Sequence, residues 1–179
     1  MSYEIDRTNM EKPKAKVFID GANMFYTQKS LGWTISWKNV ISFLENKFDV
    51  LETRYYTGLK EDDNKMLKYL RYLDKIGFST ITKILKKIKI SNTGETAHFI
   101  FKANFDVEIT ADILLDKSKL DGIIIFSGDS DFGYLVKKLK DIGKLVYIFS
   151  SRRTISWELK LIASNVIYLE DIRKEIQRD

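Results

Sequence analysis

Cysteine is absent from this chain of 179 residues, and histidine occurs once, at His98. The absence of cysteine excludes disulfides, thiolate metal sites and cysteine nucleophiles, and one histidine cannot build a histidine-rich metal cluster. A metal ion bound by this chain would therefore be held by oxygen atoms. Apolar runs are far shorter than the roughly 18 to 20 residues that cross a bilayer, and the N-terminus lacks the apolar core of a signal peptide. We expect a cytoplasmic protein with no membrane partner.

Proline also occurs once, at Pro13, close to the end of a polar and charged N-terminal stretch. We expect residues 1–14 to form a flexible tail. The other residues, 15–179, suffice for one well-buried core and are too few for two, which predicts a single domain. The formal net charge of +5 favours polyanionic partners without identifying one.

Short apolar segments alternate with segments of helical spacing along the chain. The strand candidates are rich in β-branched and aromatic residues: "KVFID", "LETRYYTG", "FSTITKIL", "DGIIIFSG" and "KLVYIFS". Between the third and the fourth of them, "KKIKISNTGETAHFIFKA" has the alternation and the central turn of an inserted β-hairpin. Strands that alternate with helices predict a mainly parallel sheet covered on both faces, which is a three-layer α/β/α fold.

Acidic residues stand at the carboxyl ends of two apolar strand candidates. Asp20 closes the first strand, and Asp129 and Asp131 follow the fourth in the stretch "IIIFSGDSDF". In a parallel α/β sheet, the active crevice lies beyond the carboxyl ends of the strands, where the strand order reverses. If these two strands flank that point, Asp20 and Asp129 face one cleft. Like charges so close together are unfavourable unless a cation or a proton lies between them, so the pattern predicts a bound cation.

Three motifs occur in a characteristic order: "VFIDGANMFY", "FDVEITADILL" and "IIIFSGDSDFGYLVKKLKDIGKLVYIF". Together they resemble the NYN domains of the LabA/DUF88 group, which belong to the PIN-like nuclease superfamily, and the resemblance covers residues 16–171. It implies a Rossmann-like (PIN-like) sheet with the strand order 3-2-1-4-5. It also implies an acidic site for Mg²⁺ or Mn²⁺, with RNA as the substrate.

The resemblance also assigns roles to individual positions. It makes three carboxylates the principal catalytic groups and metal ligands: Asp20, Asp112 and Asp129. The supporting residues are Asn23, Asp106 and Asp131, and Asp131 is counted as a further metal ligand. Oxygen ligands of this kind suit a hard divalent cation, which activates water and absorbs negative charge during phosphodiester hydrolysis.

Most of these residues also have a structural interpretation. Asp20 and Asn23 could each cap a helix, and Asp131 stands where the N-cap of the following helix is expected. Asp106 and Asp112 are six residues apart, about 600° around a helix, so they converge only if Asp106 precedes the helix.

Basic residues near the predicted cleft are candidates for RNA contacts. Arg152 and Arg153 follow the fifth strand and so belong to the same sheet edge as the acids, whereas Lys102 ends the hairpin. The predicted function is that of a metal-dependent ribonuclease with RNA as its partner, with a homodimer left open. The alternative is a non-catalytic regulator that keeps the fold and binds RNA or a protein, and a third candidate is a small-molecule phosphatase.

Overall fold

The computed structural model describes residues 11–60, 62–93 and 96–178, and for residues 88–93 and 96–102 it describes the backbone alone. The strands in these ranges are β1 (Lys14–Asp20), β2 (Asp49–Leu59), β3 (Phe78–Ile84), β4 (Lys86–Thr93), β5 (Thr96–Lys102), β6 (Gly122–Phe126), β7 (Leu145–Ser150) and β8 (Asn165–Tyr168). The α-helices are α1 (Gly21–Leu31), α2 (Trp37–Glu45), α3 (Asn64–Lys75), α4 (Asp106–Leu114), α5 (Gly133–Asp141), α6 (Trp157–Ile162) and α7 (Arg173–Ile176). A 3-10 helix, Ser130–Phe132, precedes α5. Within the described ranges, no helix has the length and apolar character needed to cross a membrane.

Six strands form one parallel sheet in the order β3-β2-β1-β6-β7-β8. Once the hairpin strands are set aside, this is the predicted order 3-2-1-4-5 with one strand added at the edge. The predicted α/β class and central order are therefore confirmed, and the sheet has one strand more than expected. The hairpin strands β4 and β5 pair with each other as a separate antiparallel ribbon.

The first strand begins earlier than the sequence suggested. The predicted tail, residues 1–14, lies mostly outside the described residues, and Lys14 already belongs to β1. Two hydrogen bonds extend the pairing to this point. The Lys14 N–H donates to the Asp121 carboxylate at 2.8 Å, and the Asp49 N–H donates to the Pro13 carbonyl at 3.0 Å.

Apolar side chains on the two faces of the sheet form two separate cores. Val17 and Ile19 of β1 belong to one core and Phe18 to the other, as the alternation of side chains along a strand requires. The first core packs α1, α2, α3 and α7 against the sheet, and the second packs α4, α5 and α6 against the opposite face. The predicted three-layer arrangement is confirmed.

Trp37 lies in the middle of the first core, with only 2% of the residue exposed. Its ring makes edge-to-face contacts with Tyr55, Phe78 and Phe126, at centroid separations of 5.5, 6.2 and 5.6 Å. The indole N–H donates a hydrogen bond to the Tyr69 hydroxyl at 2.7 Å. One side chain at the start of α2 therefore joins β2, β3, β6 and α3.

Replacing Trp37 with alanine is expected to lower the free energy of unfolding by about 3 to 5 kcal/mol, because a large buried side chain leaves a cavity. Urea denaturation measures this loss. The matched control is Trp157→Ala, since 66% of Trp157 is exposed, and its effect should stay within about 0.5 kcal/mol. Equal losses in the two variants would contradict the central position of Trp37.

Candidate functional site

The strand order reverses between β1 and β6, which are neighbours at the centre of the sheet. From β1 the sheet continues through β2 on one side, and from β6 it continues through β7 on the other. β1 ends at Asp20 and β6 ends at Phe126, so the residues that follow both strands open on the same crevice. This is the place where an open α/β sheet binds its ligands.

The Asp20 carboxylate is buried at this crevice, with 8% of the residue exposed. It caps α1, because its Oδ1 accepts the Asn23 N–H at 3.0 Å, and the Ser127 hydroxyl donates to its Oδ2 at 3.5 Å. Burial raises the pKa of Asp20, and the negative charges of Asp106 and Asp129 raise it further against the opposing effect of the Asn23 N–H. The capping role and the electrostatic coupling to the other acids therefore coexist at Asp20.

Asn23 connects α1 to the loop that follows β6. Its Oδ1 accepts hydrogen bonds from the Gly128 N–H at 3.1 Å and from the Thr27 hydroxyl at 3.5 Å. Gly128 has no room for a side chain, because a Cβ there would lie 2.3 Å from the Thr154 carbonyl oxygen. The backbone just before Asp129 is thus clamped between α1 and the loop after β7.

Three carboxylates converge next to this clamp: one oxygen from each of Asp106, Asp129 and Asp131 lies within 4.8 Å of the others. Asp129 Oδ1 accepts the Asp131 N–H at 3.1 Å and so caps the 3-10 helix. Asp106 is the first residue of α4, and its N–H donates to the Asn104 side chain at 2.7 Å. The N-cap role considered for Asp131 belongs to Asp129 instead, because the 3-10 helix begins at Ser130 and already contains Asp131.

The electrostatics of this cluster favour a cation. Burial raises the pKa of Asp106, and the nearby charges of Asp129 and Asp131 raise it further although the Asn104 side chain opposes the shift. Asp106 and Asp129 are half-buried and Asp131 is exposed, so one side of the cluster is open to water. A hard divalent cation takes carboxylate and water oxygens, and this donor set fits Mg²⁺ or Mn²⁺.

Asp112 lies apart from these three acids. Both Asp106 and Asp112 belong to α4, and six residues of helix separate them by about 9 Å along its axis and turn their side chains in different directions. The Tyr56 hydroxyl donates to Asp112 Oδ2 at 2.7 Å, and the Arg54 guanidinium pairs with the same oxygen at 3.0 Å. Asp106, and not Asp112, is therefore the α4 carboxylate that the structure brings together with Asp129 and Asp131, and the Asp112 carboxylate has two protein partners.

The basic residues predicted to contact RNA have different surroundings. Arg153 Nη1 donates to the Ser30 carbonyl near the end of α1 at 2.7 Å. Arg152 Nη2 forms an ion pair with Asp171 at 2.7 Å. Lys102 is the last residue of β5, and its side chain is outside the part that the structure describes. An RNA phosphate at either arginine would have to compete with these contacts, and the RNA-binding role of all three residues stays a prediction.

Three residues that position the acids were not singled out from the sequence: Arg54, Tyr56 and Asn104. Arg54 and Tyr56 are two apart in β2, so their side chains share the face of the sheet on which α4 packs. Asn104 stands two residues before Asp106, the spacing at which an asparagine side chain accepts a backbone N–H in a turn. The sequence spacing of Arg54 and Tyr56, and that of Asn104 and Asp106, could therefore have indicated the shared sheet face and the turn before the structure was known.

A parallel three-layer α/β fold with clustered carboxylates where the strand order reverses is the architecture of PIN-like nucleases. The chain belongs to the NYN domain family, which matches residues 14–170 and is part of the PIN-like nuclease superfamily. The predicted family is thereby confirmed, and with it a nuclease-superfamily fold that carries an acidic cluster.

Two known proteins are similar to most of the chain. The low amplitude and bright protein LabA of Synechococcus elongatus is 30% identical over 164 residues, which cover 90% of this chain and 87% of LabA. A crystal structure of a protein of unknown function from Vibrio parahaemolyticus superposes with a TM-score of 0.75 at 22% identity, over 95% of this chain and 99% of that one. The second likeness concerns the fold alone.

Replacing Asp106 with asparagine is expected to stabilise the metal-free protein at neutral pH. The raised pKa of Asp106 means that the folded state binds its proton more readily than the unfolded state, so its ionisation costs stability as pH rises from its ordinary value, about 3.9, through the raised one. Thermal unfolding in chelator should give a higher melting temperature for Asp106→Asn at neutral pH, and the gain should vanish in acid.

Asp112→Asn is the matched comparison. It weakens the contacts with Arg54 and Tyr56 and is expected to lower the free energy of unfolding by about 1 kcal/mol. A stabilising effect at Asp112 would mean that this carboxylate, like Asp106, is electrostatically strained, and the separation of the two acids into different roles would be wrong.

Proposed function

We propose that this protein is a metal-dependent ribonuclease that hydrolyses phosphodiester bonds of RNA at the acidic cluster. The observation that carries the proposal is the convergence of Asp106, Asp129 and Asp131 within 4.8 Å at the strand-order reversal. Membership of a nuclease superfamily and the net charge of +5 support a nucleic acid as the substrate. Mg²⁺ or Mn²⁺ is the proposed cofactor.

The proposed roles follow from the contacts of each side chain. Asp106, Asp129 and Asp131 would hold the cation, which when bound makes water a better nucleophile and stabilises the negative charge that develops on the phosphate. Asp20 adds a fourth, buried carboxylate whose position is fixed by the Asn23 N–H. Asn23 in turn holds the Gly128 backbone, so it positions Asp129.

Asp112 is proposed to position the helix that carries Asp106. Its carboxylate anchors α4 to β2 through Arg54 and Tyr56, and Arg54 is itself paired with Glu52 at 2.8 Å. This network fixes how α4 is rotated about its axis, and the rotation decides where the Asp106 carboxylate points. Loss of Asp112 would therefore act on the metal site indirectly.

A second candidate function is that of a non-catalytic regulator that uses the same surface to bind a partner. The exposed face of α4 favours it, because Val107 and Leu115 are each 76% exposed and border a shallow apolar groove of about 510 Å³ beside Asp106. Apolar side chains that are exposed together mark interaction surfaces. The homodimer left open by the sequence stays a prediction.

Mn²⁺ is expected to raise the melting temperature of the wild type, because a ligand that binds only the folded state stabilises it by mass action. At roughly one hundred times the dissociation constant, the rise should be about 5 to 10 °C. The rise should largely disappear in Asp106→Asn and in Asp129→Asn. Asp112→Asn should start from a lower melting temperature without metal but keep most of the Mn²⁺-induced rise. An equal response in all four proteins would place the cation elsewhere.

Cleavage of a mixture of single- and double-stranded RNA tests the function directly. The wild type is expected to cleave with Mg²⁺ or Mn²⁺ and to stop when a chelator is added. Asp129→Asn should lose at least about a hundredfold in rate while remaining folded and able to bind RNA. If the wild type cleaves nothing over a range of metals and substrates but still binds RNA or a protein, the regulator is the better description.

A further inference from the structure

A pocket of about 260 Å³ lies between the loop after β7, helix α6 and strand β8. Its lining residues combine two aromatic rings, two cations and one aliphatic side chain: Arg152, Ile155, Trp157, Lys160 and Tyr168. The acidic cluster contributes none of these residues. The pocket is therefore a second concave feature of the molecule, separate from the proposed metal site.

The two aromatic rings of the pocket differ in solvent exposure. Trp157 is 66% exposed, in contrast to Trp33 and Trp37, which are 8% and 2% exposed and belong to the first core. Tyr168 is half-buried, and the Arg152 guanidinium lies over its ring at 4.1 Å from the centroid. An exposed indole beside a second ring with a stacked guanidinium is the kind of surface on which a nucleobase stacks.

The two cationic side chains of the pocket differ in whether they form an ion pair. The Lys160 ammonium lies 5.9 Å from the Trp157 ring and 5.8 Å from the Tyr168 ring, and it has no ion-pair partner among the residues that the structure describes. Arg152, by contrast, is paired with Asp171 at 2.7 Å. Lys160 is therefore the cation whose donors remain free for a phosphate beside a stacked base.

The pocket borders the acidic cluster through a direct backbone contact. The Ser156 N–H donates to the Gly128 carbonyl at 2.8 Å. Ser156 follows the pocket residue Ile155, and Gly128 precedes Asp129 of the cluster. Helix α6, which carries Trp157 and Lys160, also packs against the 3-10 helix that contains Asp131. A chain that occupies the pocket is thus brought next to the carboxylates.

We infer that this pocket binds an unpaired base of a single-stranded nucleic acid, with the Trp157 ring and the Arg152 guanidinium on Tyr168 as the stacking faces and Lys160 on the adjoining phosphate. The inference rests on the proposed function, because it names the substrate class that would reach the acidic cluster. Stacking needs a free base face, and in a duplex both faces are covered by neighbouring base pairs. The pocket therefore selects single strands or unpaired ends over duplex RNA.

Binding in the presence of a chelator tests the inference without any cleavage. A fluorophore-labelled single-stranded RNA is titrated with protein and followed by anisotropy, and the intrinsic tryptophan fluorescence is recorded in a parallel titration. Trp157 is the exposed tryptophan, so stacking should quench it and protect it from acrylamide. Trp157→Ala should abolish the RNA-dependent quenching and weaken binding at least about fivefold, whereas Trp157→Phe should restore most of the affinity.

Lys160→Ala tests the phosphate contact separately. The slope of log affinity against log salt should fall by about 0.7, the contribution of one phosphate contact on a single strand. The matched controls are Tyr72→Ala and Lys68→Ala, which change an exposed ring and an exposed lysine on α3, beside β3 at the opposite edge of the sheet. Both controls should bind RNA as the wild type does.

Duplex RNA and adenosine monophosphate distinguish base stacking on a single strand from other modes of binding. A duplex of the same sequence should bind more weakly than the single strand and should not quench Trp157, and adenosine monophosphate alone should bind far more weakly than the strand. Unchanged RNA affinity in Trp157→Ala, equal quenching by the duplex, or equal affinity for the mononucleotide would each overturn the inference. If the protein stacks bases but cleaves no RNA, this inference holds and the ribonuclease proposal fails. If it cleaves RNA and Trp157→Ala has no effect on binding, the ribonuclease proposal holds and this inference fails.

Discussion

Mutual repulsion among the clustered carboxylates is the constraint around which the site is built. Three oxygens within 4.8 Å of one another would separate if their backbones were free to move. Two hydrogen bonds hold the backbone that carries them: the Asp131 N–H donates to the Asp129 carboxylate, and the Asp106 N–H donates to the Asn104 side chain in the turn that starts α4. The fold therefore stabilises an arrangement that is unfavourable without a cation, which is typical of sites that bind one.

The sequence predicted the sheet well because buried parallel strands are continuous apolar runs. It failed at β8, where that signal is diluted. β8 is a four-residue edge strand without a fully buried residue, so its pattern "NVIY" did not predict a sheet strand. Helix α1 also lacks a one-sided apolar face, because exposed Phe25 and Tyr26 lie beside buried Met24, and the capping residue Asp20 is the sequence signal for its start.

Within the site, the acids next to strand ends were easier to place than the acids on a helix. Asp20 ends β1 and Asp129 follows β6, and the pairing of these two strands fixes where the acids lie along the sheet edge, whereas the position of Asp106 relative to Asp112 depends on the residue at which α4 begins. That start has no side-chain cap at Phe105 and is set instead by the Asn104 turn, so the apolar pattern gave no boundary. Asp112 contacts Arg54 and Tyr56 of β2. Tyr56 lies 56 residues earlier in the sequence, so the spacing of residues along the chain could not reveal this contact.

The clamp at Gly128 joins the acidic cluster and the Trp157 pocket through one piece of backbone. Asn23 holds its N–H, Ser156 holds its carbonyl, and the hydroxyls of Thr27 and Thr154 join the two flanking elements at 2.9 Å. A strand whose base is held in the Trp157 pocket would therefore meet the carboxylates at a fixed distance. Binding energy at a remote subsite contributes to rate only when it orients the reacting group, and a rigid connection is the physical condition for that. The acidic cluster repels phosphate by itself, so in the proposed function the attraction comes from the rim, and the pocket beside Gly128 would supply both a stacking surface, Trp157, and a cation, Lys160.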